Sequence, residues 1–140
     1  MRPSSIVSFD RLYLVATGLG LLNSFMSLDQ LQARIDAMPQ LKAVGIGSGF
    51  IYGSIAIGLA ITLALWFAVA YRRSVVAKWV LVAFTALAIV NLPGALAQLG
   101  SGGLGVMVSV AVEALRLVAL SFLFRPDAKA WLAGSDDAEA

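Results

Sequence analysis

The sequence predicts an all-α integral membrane protein, a four-helix bundle with a short amphipathic helix in its first extracytoplasmic loop. Three observations predict it. Hydrophobic residues fill 60% of the 140 positions and charged residues 13%, against roughly 45–50% and about 25% in soluble domains. The apolar residues gather in four long stretches, each near the ~20 residues that a helix needs to cross a bilayer. Lys and Arg fall almost entirely on one side of those stretches, and that asymmetry sets the orientation of membrane helices. Composition also excludes several functions. The chain has no Cys and no His, so thiol chemistry, disulfides and the commonest general base and metal ligand are absent. A net charge of +2 carries no nucleic-acid footprint.

The first span is expected over residues 9–27. Arg2 and Arg11 before an apolar run also suit a signal peptide, but Asn23-Ser24-Phe25-Met26-Ser27 is no small-x-small cleavage site, so a retained helix is expected. Ser27-Leu28-Asp29-Gln30 then has the form of a capping box. Leu28, Leu31, Ile35 and Met38 recur at helical spacing, and Pro39 ends the run. The segment reads as a short amphipathic helix on the outer membrane face, or as a connector whose apolar side caps the bundle.

The second span lies within 44–70. The third covers 75–92 and can continue past a kink at Pro93, and the fourth covers 104–124. Tyr71-Arg72-Arg73-Ser74 and Gly100-Ser101-Gly102-Gly103 are short enough to make each pair of neighbours an antiparallel hairpin. Residues 1–134 therefore form one transmembrane domain. In the polar end after Phe124, Arg125-Pro126-Asp127 stops the last helix, and residues 135–140 are expected to be a disordered acidic tail.

Arg2, Arg11, Arg72, Arg73, Lys78, Arg125 and Lys129 share one side of the spans, whereas Arg34 and Lys42 hold the other. The larger group belongs in the cytoplasm, which puts both termini there. Trp66, Tyr71, Trp79 and Trp131 are expected at that same interface as aromatic anchors.

Two edge blocks carry a resemblance. Phe9-Asp10-Arg11-Leu12-Tyr13-Leu14 opens the first helix, and Leu123-Phe124-Arg125-Pro126-Asp127-Ala128-Lys129-Ala130-Trp131 closes the last. With the hydrophobic spacing between them, the chain resembles a group of uncharacterised short bacterial inner-membrane proteins with four predicted transmembrane helices. The resemblance implies four spans and a bacterial inner membrane, and it transfers no catalytic residue. The chain does not resemble the small multidrug transporters, whose essential Glu sits in the first span. Here the first span has no acid beyond Asp10 at its edge.

Chemistry is sparse, and three sets of residues stand out. Glu113 and Arg116 lie near the middle of the fourth span at i, i+3, on one helix face where they can pair. Each charge near a helix centre costs about 2.5–3.5 kcal/mol on insertion, about 5–7 for the two. The twelve Leu, Val and Phe residues of the span offset roughly 4–7 kcal/mol. The terms nearly cancel, so this face must point inward, either as a structural ion pair or as a relay or ligand counter-charge. Gly45, Gly49, Gly53, Ala56, Ala60, Ala64 and Ala68 follow at 4-4-3-4-4-4 along the second span. Such a seam of small residues lets helix backbones approach, within the monomer or between subunits. Asn23, Asn91 and Gln98 are amides in the outer half of the membrane, suited to hydrogen bonds between helices.

These readings favour a non-enzymatic multi-pass protein, a packing, assembly or accessory subunit that works through helix–helix contacts. Its partners are the lipid bilayer and a homo-oligomer or larger membrane complex, with no nucleic acid, cofactor or metal. The alternative is a small oligomeric transporter or channel with Glu113 and Arg116 in its path. A membrane enzyme fits least, because no base, nucleophile or metal cluster is visible.

Overall fold

The computed structural model describes residues 2–97 and 99–134. Among the described residues there are seven helices and no strand: α1 Ser4–Met26, α2 Leu28–Asp36, α3 Pro39–Ala43, α4 Ser48–Ala70, α5 Val75–Ala97, α6 Leu99–Phe122 and α7 Pro126–Ala133. Segments Ser4–Met26, Ser48–Ala70, Val75–Gly94 and Gly103–Phe122 are each long and apolar enough to cross a membrane. Around the bundle, α1 packs most extensively on α6, α6 also meets α5, and α4 closes the ring by touching both α5 and α1.

Each span's boundary differs from the expected one for a local reason. The first helix starts at Ser4 rather than residue 9. Asp10 does not mark an edge there, because Trp66 Nε1–H donates to its Oδ1 at 2.6 Å and Arg2 reaches its Oδ2 at 3.3 Å. A carboxylate so supplied can sit inside a helix. The amphipathic helix forms as α2, but the capping box does not: Ser27 makes no side-chain cap bond. Its φ −94°, ψ 0° is far from the extended conformation of an N-cap serine, because α1 runs almost directly into α2. Pro39, expected only to end a helix, instead opens α3, where the missing N–H at the first position is no loss.

The second span begins at Ser48, not residue 44, since Gly45 takes φ +81° and Gly47 is extended. The third runs through Pro93 to Ala97, and the fourth is interrupted at Gly103 (φ 60°, ψ −154°) and stops at Phe122. The polar end also holds a helix that was not expected: Pro126 sits at the start of α7 and left-handed Gly134 follows its end, the usual pairing of proline before and glycine after. Gln98 and the acidic tail 135–140 lie outside the described residues.

The buried core is concentrated at one end, the end of the α4–α5 turn. Ile6, Phe9 and Tyr13 of α1 meet Val69, Ala77 and Leu81 from around that turn, together with Ala119, Leu120 and Leu123, and with Ala128 and Leu132 of α7. In a membrane, close van der Waals packing rather than hydrophobic exclusion holds such a cluster together. Polar contacts lock the same end. Ser5 Oγ donates to Asp127 Oδ1 at 2.8 Å and Ser5 N–H to Oδ2 at 3.2 Å, so the carboxylate caps the first turn of α1 from across the fold. Burial pushes the Asp127 carboxyl up, but the Ser5 bonds and the amides of its own helix outweigh this and hold it below the usual carboxylate range.

Cations lie over aromatic rings at this end. Arg73 stacks 3.9 Å from the Trp131 ring centre, Lys78 Nζ lies 4.2 Å from that of Phe124, and Arg2 lies 4.7 Å from that of Tyr71. The four expected aromatic anchors all take part in ring or cation contacts here. Toward the α2–α3 end few residues are buried, Ile51 being the main exception.

Candidate functional site

The face where α1 meets α6 is polar. On α1 it carries Tyr13, Thr17, Gly20 and Ser24, and on α6 Gly105, Ser109, Val112 and Arg116, both at 4-3-4 spacing. Two glycines sit at the contact, each with room for a methyl group at ordinary van der Waals distance. A Cβ on Gly20 would lie 3.5 Å from Val112 Cγ1 and 3.9 Å from Arg116 Nη2, and one on Gly105 would lie 3.5 Å from Asn23 Oδ1. Larger side chains would force the helices apart.

The hydroxyls here bind first to their own helices. Thr17 Oγ1 donates to Tyr13 O at 2.8 Å, Ser24 Oγ to Gly20 O at 2.9 Å and Ser109 Oγ to Gly105 O at 3.0 Å. This bonding satisfies each hydroxyl within its own helix. Asn23 crosses to the other helix: its Nδ2 donates to Ser109 Oγ at 2.9 Å.

Glu113 is the eleventh of the twenty residues of the Gly103–Phe122 span, hence about 15 Å from either end at 1.5 Å per residue. Arg116 Nη1 lies 3.6 Å from Glu113 Oε2, with side-chain exposures of 31% and 13%. That separation exceeds the ~2.8 Å of a tight charge-assisted bond. The pair therefore leaves polar capacity unused: Glu113 Oε1, Arg116 Nε and Asn23 Oδ1 are buried with no hydrogen-bond partner among the described residues.

Cavities lie beside these residues, although the three unpartnered atoms themselves are covered. One of about 380 Å³ lies between α1, α4 and α6 and is lined by Thr17, Asn23, Thr62, Ser109, Glu113 and Arg116. A second, about 300 Å³, reaches the same pair from the α5 side, past Tyr13, Thr62 and Thr85. A third of about 510 Å³ shares Asn23 and Ser109 with the first and continues to Ser27, Gln30 and Arg34 at the α2 end. The first and third cavities thus adjoin at Asn23 and Ser109, apart from the packed core around Phe9 and Leu123. Among the described residues no group of three or more His, Cys, Asp or Glu could hold a metal ion.

The expected site residues divide. Glu113 and Arg116 come together, and Asn23 makes the bond between helices expected of it. Asn91 does not, because its Nδ2 donates to Leu87 O of its own helix at 2.7 Å. The small-residue seam needs two corrections. Gly45 lies outside α4, and its left-handed φ breaks the helical register there. Ala68 packs against the core within the monomer, but the members between it and Gly45 turn away from the core. Gly49, Ala56, Ala60 and Ala64 are exposed, Gly53 is half-buried, and a Cβ on Gly49 or Gly53 would meet nothing within 4 Å. At ~100° per residue the stripe lies about half a turn from Ile51, Ile55, Thr62, Leu65 and Val69, the residues α4 turns to the bundle. Sequence reasoning missed Gly20, Gly105 and Ser109, although Gly20-x-x-x-Ser24 and Gly105-x-x-x-Ser109 are small-x-x-x-small patterns of the same kind. Compared with known protein families, curated proteins and solved structures, the chain matches none.

Proposed function

We propose that the chain is a non-enzymatic multi-pass protein of the bacterial inner membrane, with both termini cytoplasmic, that acts as an assembly or accessory subunit through helix–helix contacts and associates first with a second copy of itself. The bare back of α4 carries this reading. Gly49, Gly53, Ala56, Ala60 and Ala64 form an uncharged stripe turned away from the bundle. Against lipid, small side chains gain nothing that a leucine would not give. Against another helix they admit close backbone contact.

Because the chain has no Cys, a single cysteine at Ala60 reports the contact directly. Ala60→Cys is expected to form a disulfide-linked dimer on mild oxidation in membranes, whereas Val118→Cys on exposed α6 surface is not. Gly53→Leu is expected to lower the dimer yield severalfold while leaving the folded monomer intact, since its position is open. A wild-type chain that stays monomeric in bilayers and gives no Ala60→Cys crosslink would overturn the reading.

A second reading, a small oligomeric transporter or channel, is favoured by one observation: the polar cavities converge on Glu113 and Arg116. Solute or proton flux in proteoliposomes separates the two readings.

A further inference from the structure

We propose that Lys78 and Lys129 form a site for the phosphate of an anionic phospholipid, where the start of α5 meets the junction of α6 and α7. Lys78 is only 6% exposed, and a buried charge is costly unless something pairs with it. Among the described residues its ammonium meets rings and another cation. Nζ lies 4.2 Å from the ring centre of Phe124 and 5.8 Å from that of Trp79, and the charge close enough to act on it is that of Lys129. No described carboxylate lies within ion-pair distance of either lysine. The two described acids of this end are engaged elsewhere, Asp10 with Trp66 and Arg2, and Asp127 with Ser5.

An anion can reach both lysines. The buried polar atoms that are sealed without a partner belong to Asn23, Glu113, Arg116 and Trp131. The Lys78 ammonium is not one of them, although its stem is covered, and Lys129 is exposed.

The surroundings select a lipid. Val75, Trp79 and Phe124 stand exposed beside the lysines, and the rings of Trp79 and Phe124 meet edge to face at 6.3 Å. Bare apolar surface next to two cations suits an amphiphile, whose acyl chains cover the first while its phosphate joins the second. Basic pockets between membrane helices hold anionic headgroups in this way. A soluble anion would leave the apolar surface bare. A zwitterionic headgroup fits less well, because its own cation would sit beside two lysines that no described carboxylate balances. The proposal rests on the reading of the chain as a membrane protein, and not on self-association.

The test follows the thermal unfolding midpoint of the full chain in nanodiscs. Replacing part of the phosphatidylcholine by phosphatidylglycerol is expected to raise the midpoint saturably. Lys129→Gln should increase the share of phosphatidylglycerol needed for half the effect about tenfold, the value of one charged hydrogen bond. Lys78→Gln should do at least the same, and the exposed Lys129 keeps the test open if that variant fails to fold. Arg72→Gln removes an exposed cation of the same end outside the site and should leave the response in place. Neutralising Asp136, Asp137 and Glu139 together should leave it in place as well. Four outcomes overturn the proposal. The folded wild type has the same midpoint with and without phosphatidylglycerol. Arg72→Gln loses as much as Lys129→Gln, which would mean diffuse attraction. Inorganic phosphate in phosphatidylcholine discs produces the same rise, which would mean a soluble anion. The response appears only when the acids of the tail are neutralised, which would give the site to the tail.

Discussion

At the scale of single residues, Glu113 and Arg116 dominate because they are charges in the middle of an apolar helix, where any error in their pairing is costly. Removing one partner of a buried pair costs about 3–5 kcal/mol, since the survivor is left uncompensated. Arg116 keeps 31% of its side-chain surface, so the cost here falls at or below the lower figure. The two single changes are not equivalent. A carboxyl left alone can take up a proton and become neutral, whereas a guanidinium stays charged. Glu113→Gln is therefore expected to lower the thermal midpoint in detergent more than Arg116→Gln. The double change Glu113→Leu with Arg116→Met should recover most of the loss, because no charge remains to be matched. Equal midpoints for wild type, both singles and the double would mean that the two residues are not coupled. The i, i+3 spacing made this pair legible in the sequence. The Asn23–Ser109 bond was not, because the two residues are 86 positions apart and meet only through the packing of α1 on α6.

At the scale of elements, the least legible helix was α7. Its polar composition resembles a solvated tail, and the bond that holds it joins Ser5 to Asp127, 122 positions away. Local signals were nonetheless present in Pro126 and Gly134, one at each end. The small-residue stripe shows the opposite failure. Its period was read correctly within α4, yet periodicity says only that residues share a face, not which neighbour that face meets. The Asp127 latch makes a pH prediction. The carboxyl is held below its ordinary value in the fold, so the unfolded chain takes up its proton first as pH falls. The latch thus stabilises fully above the unfolded value, near ~4, and its contribution is lost as pH drops through the folded value. Midpoints measured in detergent from pH 6 down to pH 3 should fall more steeply for the wild type than for Asp127→Asn. Parallel slopes would show that the latch contributes no linkage.

At the scale of the whole molecule, four helices long and apolar enough to cross a membrane were legible, because length and apolar composition are local properties. The uneven packing was not. The core gathers around Phe9, Val69, Leu81 and Leu123 at the end of the α4–α5 turn, while open cavities lined in part by Asn23, Ser109 and Glu113 lie toward the α2–α3 end. That asymmetry gives orientation a consequence beyond bookkeeping of loops, because it decides which compartment reaches Glu113. The closed end carries Arg2, Arg72, Arg73, Lys78, Arg125 and Lys129, and the open end Arg34 and Lys42. Under the proposed orientation, which follows the positive-inside rule, the closed end faces the cytoplasm and the α2–α3 end the outside. Reporter fusions after Pro39 and Gly102 should read as extracytoplasmic, and fusions after Arg73 and Ala140 as cytoplasmic. The native absence of Cys permits a sharper check in intact cells. A membrane-impermeant thiol reagent added outside should label Gln30→Cys and Ser109→Cys, and spare Ala128→Cys until the cells are opened. The order of labelling matters as much as the sides: Gln30→Cys at the α2 end should react faster than Ser109→Cys deeper in the bundle. Labelling of Ala128→Cys from outside would invert the protein, and would put Glu113 in contact with the cytoplasm instead.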